Sequence, residues 1–116
     1  MNINKIIIGL SFVKGIGKVK TKKILSGLQN FNLTEKEFLD YLKQENLIKD
    51  EELVFLNQYL SKAEKILENT ANESIKVIHL FDEEFPEHLK NIPNPPIQLF
   101  IKGNIYKNGE LLATNK

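Results

Sequence analysis

Phe12-Val-Lys-Gly-Ile-Gly-Lys-Val-Lys-Thr-Lys-Lys-Ile-Leu25 reads as the end of one helix, a tight turn at Gly15-Ile16-Gly17, and the start of a second helix. Two glycines bracketing one apolar residue let the backbone reverse sharply and approach another molecule with no Cβ in the way. The helix that follows aims unpaired amides and the positive end of its dipole out of the turn. An anion such as a nucleic-acid phosphate fits there. Lys14, Lys18, Lys20, Lys22 and Lys23 surround the turn and add a long-range attraction for the same partner. The candidate DNA contacts are therefore Lys14, Gly15, Ile16, Gly17, Lys18, Lys20, Lys22 and Lys23. An ordinary corner between two helices, with lysines that only solvate it, gives much the same string.

The pattern resembles the helix-hairpin-helix motif, a DNA-backbone-binding element. Val13, Gly15, Ile16, Gly17, Ile24 and Leu25 fall on its positions, and Thr21 stands where that motif usually has Ala.

The totals limit the classes of function. A chain of 116 residues is one domain, or a small domain with part of another. There is no cysteine, which removes disulfides and thiolate metal sites. No apolar run reaches the roughly 18 residues that a membrane-spanning helix needs, so the expected location is cytoplasmic, without a membrane partner. The net charge of +1 hides an asymmetry: residues 1–34 hold six lysines and no acid, and residues 35–116 hold ten lysines and fifteen acids. A basic end on an acidic chain points to a polyanion partner for that end. All sixteen cations are lysine. Lysine meets phosphate as a point charge and lacks the fork that reads guanine edges, which favours sequence-independent contact.

Outward from the turn, helix one is expected over Ile3 to Val13, apolar nearly all round and so buried. Helix two should place Thr21, Ile24, Leu25 and Leu28 inward with Lys22 and Lys23 opposite. Thr34-Glu-Lys-Glu37 is a capping-box pattern that opens helix three, with Phe38, Leu39 and Leu42 inward. Asp50 is expected to cap helix four, whose stripe Leu53, Leu56, Leu60, Ala63 and Leu67 reads as core. The polar run Glu68 to Ser74 is expected to end the helical part. Beyond it, Ile75 to Leu80 and Ile97 to Ile101 read as strands. Glu87 to Lys90 reads as a helical turn, and the prolines of Pro93-Asn-Pro-Pro96 as a rigid loop. Turns are expected at Lys102-Gly-Asn104 and Asn108-Gly109, with no closing element from Glu110 to Lys116.

Within Ile78 to Asn104 a second resemblance emerges. Asp82, Phe85, Pro86, Leu89, Ile92, Pro95, Pro96, Leu99, Phe100 and Gly103 fall on the pattern of the DNA-processing protein A family (DprA, or Smf). Phe85 stands where Tyr is commoner there, and Asn94 where Asp is commoner. Many members carry a helical domain with a Gly-Ile-Gly turn ahead of this block, as here. The resemblance implies an α+β chain: a four-helix bundle of helix-hairpin-helix or sterile-alpha-motif type over residues 1–72, then the first strands of a truncated Rossmann-like core over 73–116. It also implies single-stranded DNA as partner, RecA as a second partner during natural transformation, and a homodimeric core. The family's phosphate-contacting Gly-Ser/Thr-Arg turn is expected beyond Lys116, so the chain reads as an N-terminal fragment. The alternative is a structural or protein-interaction domain that docks on such a core and leaves DNA untouched.

No catalytic group is assigned. His79 and His88, with Asp82, Glu83 and Glu84 between them, lack the spacing of a metal site. The acidic trio reads as a solvated turn capped by Asp82. No phosphate loop accompanies them, so neither an enzyme nor a cofactor is expected.

Overall fold

Asn2 caps the first helix, its Oδ1 accepting the Lys5 N–H at 3.2 Å, and α1 (Ile3–Phe12) follows. In this computed structural model the described residues are 1–102, 106–107 and 110–111, the last four in backbone only. The chain is α+β. After α1 come α2 (Gly17–Ser26), α3 (Glu35–Gln44) and α4 (Asp50–Asn72). Strand β1 (Ile75–His79), the short α5 (Glu87–Lys90), β2 (Gln98–Lys102), β3 (Tyr106–Lys107) and β4 (Glu110–Leu111) follow in sequence. Two compact units divide the chain, residues 1–65 and 66–116, so the division falls inside α4, ahead of its end at Asn72.

In the first unit, Ile6, Leu10, Ile24, Leu25, Phe38, Leu42 and Leu56 are all under 2% exposed. They come from all four helices, so each helix gives one apolar face to a shared core. α1 lies close against α4: a Cβ on Gly9 would stand 3.0 Å from Leu60 Cδ2 and 3.2 Å from Leu56 Cδ1. Lys5 ties the start of α1 to the start of α3 through Glu35 Oε2 at 2.7 Å. The capping box is complete. Thr34 Oγ1 accepts the Glu37 N–H at 3.1 Å and Glu37 Oε1 accepts the Thr34 N–H at 3.0 Å. Such a cap is worth about 1 kcal/mol. Thr21, Ile24 and Leu25 are buried as the helical period requires, while Leu28, Leu39, Leu53 and Leu67 are half-buried at the edges of their stripes.

Two expectations are corrected here, the cap of α4 and the last residues of the chain. Asp50 lies inside the first turn of α4, where its charge suits the dipole, and Glu52 Oε1 accepts the Lys49 N–H at 2.8 Å. The polar run Glu68 to Ser74 does end the helical part, with α4 stopping inside it at Asn72. An established helix adds a hydrogen bond for each residue fixed, so weak formers at its end are carried along; Thr70 Oγ1 also donates to the Leu67 carbonyl at 2.8 Å. Second, Glu110 and Leu111 do form an element: β4 pairs antiparallel with β3, Leu111 opposite Tyr106 and Glu110 opposite Lys107. The turns expected at Gly103-Asn104 and Asn108-Gly109 lie outside the described residues.

In the second unit β1 and β2 pair antiparallel, with Ile75 opposite Lys102, Val77 opposite Phe100 and His79 opposite Gln98. The Leu80 N–H donates to the Ile97 carbonyl at 2.7 Å and lengthens the ladder by one bond. A two-stranded ribbon is marginal alone. This one is backed by a small core of Ile78, Leu80, Phe85 and Ile101, with Leu89 and Leu99 packed against it.

The turn after β1 is closed by His79 and Asp82. Asp82 Oδ2 accepts the His79 N–H at 2.9 Å, and His79 Nδ1 accepts the Phe81 N–H at 3.2 Å. His79 Nε2 lies 3.1 Å from Asp82 Oδ1, so the neutral ring with its proton on Nε2 fits these two ring-nitrogen contacts. Burial holds the His79 pKa below the ordinary histidine value, with the Asp82 charge opposing it more weakly. The unfolded chain then takes up the proton first as pH falls. This contribution to stability is full above about pH 6.5 and is lost as pH drops through the folded value. The expected outcome is a melting temperature that declines from pH 7 toward pH 5, and less steeply in His79→Gln; equal slopes would remove His79 from the account.

Candidate nucleic-acid interface

The hairpin is built by pulling two apolar residues in and leaving the rest out. Val13 closes α1, its N–H donating to the Leu10 carbonyl at 3.1 Å, and is 4% exposed. Ile16 is also 4% exposed. Between and after them, Gly15 has φ 97° and Gly17 φ 67°. Both lie in the left-handed region, where a side chain costs about 1–2 kcal/mol. The two glycines are required by the shape of the turn. A Cβ on Gly17 would meet nothing within 4 Å, so this backbone faces open space.

α2 begins at Gly17 with no side-chain cap from Ile16 and no acid in its first turn. Its positive end is thus uncompensated by its own element. Thr21 is buried, and its Oγ1 donates to the Gly17 carbonyl at 2.7 Å, so the hydroxyl standing in the motif's alanine position is satisfied within the helix.

Lys14, Lys18, Lys22 and Lys23 are exposed. Among the described residues, no carboxylate pairs with Lys14, Lys22 or Lys23. Lys18 and Lys22 are four apart in α2 and share a face. Lys20 Nζ lies 3.8 Å from Glu52 Oε1. Ile16 needs a correction as well. Its N–H donates to the Val13 carbonyl at 3.3 Å, so the residue anchors the turn and does not offer an amide. The structure therefore gathers Lys14, Gly15, Gly17 and Lys18 at the turn and Lys22 and Lys23 along α2. Ile16 serves from below, and Lys20 is partly neutralised.

Sequence reasoning missed Glu52. This carboxylate is 12% exposed, and its Oε2 lies 3.1 Å from where a Gly15 Cβ would stand. It lowers the potential on the Gly15 side, leaving the Gly17 side, with Lys18 and Lys22, as the more favourable place for an anion. Phe12, Phe55 and Tyr59, which line a cleft shared with Lys14, were missed too.

Among its described residues the second unit presents no comparable site. Asp82 and His79 bond to each other, and among the described residues no three His, Asp or Glu side chains gather as metal ligands would. No described helix is long and apolar enough to cross a membrane. No family model matches the chain, and neither the curated proteins nor the solved structures contain a match.

Proposed function

We propose that this chain is a DNA-binding protein of the DprA/Smf type, with a helix-hairpin-helix element at residues 12–25 that holds the phosphate backbone of single-stranded DNA. The observation that carries the reading is the pair of left-handed glycines around a buried Ile16, with Gly17 open to solvent at the start of α2. Backbone amides at a helix start supply short-range contacts, and Lys14, Lys18, Lys22 and Lys23 supply charge. None of these groups has the geometry to distinguish bases.

The wider role, handing single strands to RecA during DNA uptake, rests on the resemblance over residues 78–104, with residues 73–116 as the leading strands of a Rossmann-like core. What supports it is the place of the pattern residues in the second unit. Asp82 closes the turn, Phe85 fills the core, Pro86 starts α5 and Leu99 packs beneath. Asn94, where the pattern commonly has Asp, sits at φ 56°, which Asn tolerates well.

The test is fluorescence anisotropy of the 116-residue chain with labelled single strands of different sequence across a salt series. With four exposed lysines on phosphate, log affinity should fall with log salt at a slope of about −3, equally for each sequence. A flat salt response, or a strong preference for one sequence, would remove the backbone-contact reading. Glu52 beside Gly15 favours a second reading, a docking domain whose hairpin is only a corner; it calls for no DNA binding at any salt.

A further inference from the structure

We propose that Phe12, Phe55 and Tyr59 form a platform on which unpaired bases of single-stranded DNA stack, beside the turn that holds its phosphates. This rests on the hairpin reading above and adds the reason for a single-strand preference. The rings form one group: Phe12 and Tyr59 have centroids 5.5 Å apart, and Phe55 lies 6.5 Å from Tyr59 with planes 25° apart. Phe55 is 42% exposed, so its ring is open to a partner.

The cleft they line, of about 340 Å³, is continuous with the hairpin. Lys14 belongs to both, and Glu52, which abuts Gly15, forms part of the cleft wall. Charge decides the class of occupant. Lys14 and Lys49 line the cleft, and Lys62 Nζ sits 4.3 Å over the Phe12 ring. Against them stand Glu51 and Glu52, and Glu52 is already engaged by the Lys49 N–H and by Lys20. Three ammonium groups against two carboxylates leave the cleft a net charge of +1, which suits an anion that carries flat rings better than a cation. A nucleotide strand meets both demands. A duplex keeps its bases paired and stacked inside, so it reaches the lysines without reaching the rings.

The experiment measures affinity of the full chain for three labelled probes: oligo-dT, its duplex with oligo-dA, and an abasic strand of equal length. Phe55→Ala should weaken oligo-dT binding roughly 5- to 150-fold, the range for losing one stacked base, and leave the duplex and the abasic strand unchanged. Phe55→Trp keeps a π-face and should retain oligo-dT affinity. Equal losses on all three probes, or no loss on oligo-dT, would overturn the platform. A Phe55→Ala protein that turns from dimer to monomer with DNA affinity intact would also overturn it, marking the face as a contact between copies. If reversing hairpin lysines abolishes binding while Phe55→Ala does not weaken it, the platform falls and the hairpin stands. If the wild-type chain binds no DNA, both fall.

Discussion

Reversing two charges, Lys18→Glu with Lys22→Glu, should cut the affinity for single-stranded DNA by roughly 100- to 1,000-fold. Both side chains are exposed on the outer face of α2, so the change leaves the core of Ile24 and Leu25 untouched. At an exposed site an ammonium near a phosphate gains on the order of 1 kcal/mol, and reversal replaces that with a similar repulsion. Two sites changed in this way differ by about 4 kcal/mol, close to three powers of ten, which salt then reduces. The slope of log affinity against log salt should flatten by about 1.4, because two phosphate contacts are lost at about 0.7 each on a single strand. The contrast with Lys20→Glu is informative. Lys20 already spends much of its field on Glu52, so its reversal should cost less than that of Lys22. Unchanged affinity in the double variant would remove the hairpin from the mechanism.

The largest effect on stability is expected from Phe38→Ala, at about 3–5 kcal/mol. Phe38 is 0% exposed, in the core to which all four long helices contribute, with its ring 6.2 Å from that of Tyr41. Its removal leaves a ring-sized void that the surrounding Ile, Leu and Tyr41 side chains fill only in part. A small helical unit has on the order of 5–15 kcal/mol in total, so this one change takes a large share of it. The melting temperature of the first unit should fall by more than about 10 °C. Leu39→Ala, at a half-buried neighbouring position, should cost distinctly less. Comparable losses at the two positions would mean that the core is not where these helices place it.

What was legible in the sequence was local. The Thr34–Glu37 box needs only a spacing of three and the right side chains, so its bonds could be read in advance. The Gly-Ile-Gly turn and the inward face of α2 follow from backbone sterics and helical period in the same way. Contacts between elements were not legible. Nothing near Gly15 announces that Glu52, on another helix, lies against it, because that depends on how α4 meets the hairpin. The bond from the Ile16 N–H to Val13 is local, but it depends on the exact path of the turn. Phe55 and Tyr59 were a missed signal: two rings four apart in α4, beside the Leu56 and Leu60 stripe, mark a second apolar face that the core alone does not need. At the far end, the strand pairing of residues 110–111 was hidden by their number, since two residues carry almost no periodicity.

The central claim is that the bend at Gly15 and Gly17 receives phosphate oxygens. The most direct measurement is the shift of backbone amide resonances of the full chain when a short single strand is added at low salt. The largest shifts are expected at residues 14–23, led by Gly17 and Lys18, and they should vanish together as salt is raised. Shifts confined to residues 75–102, or none at all under conditions where the strand is in excess, would contradict the claim.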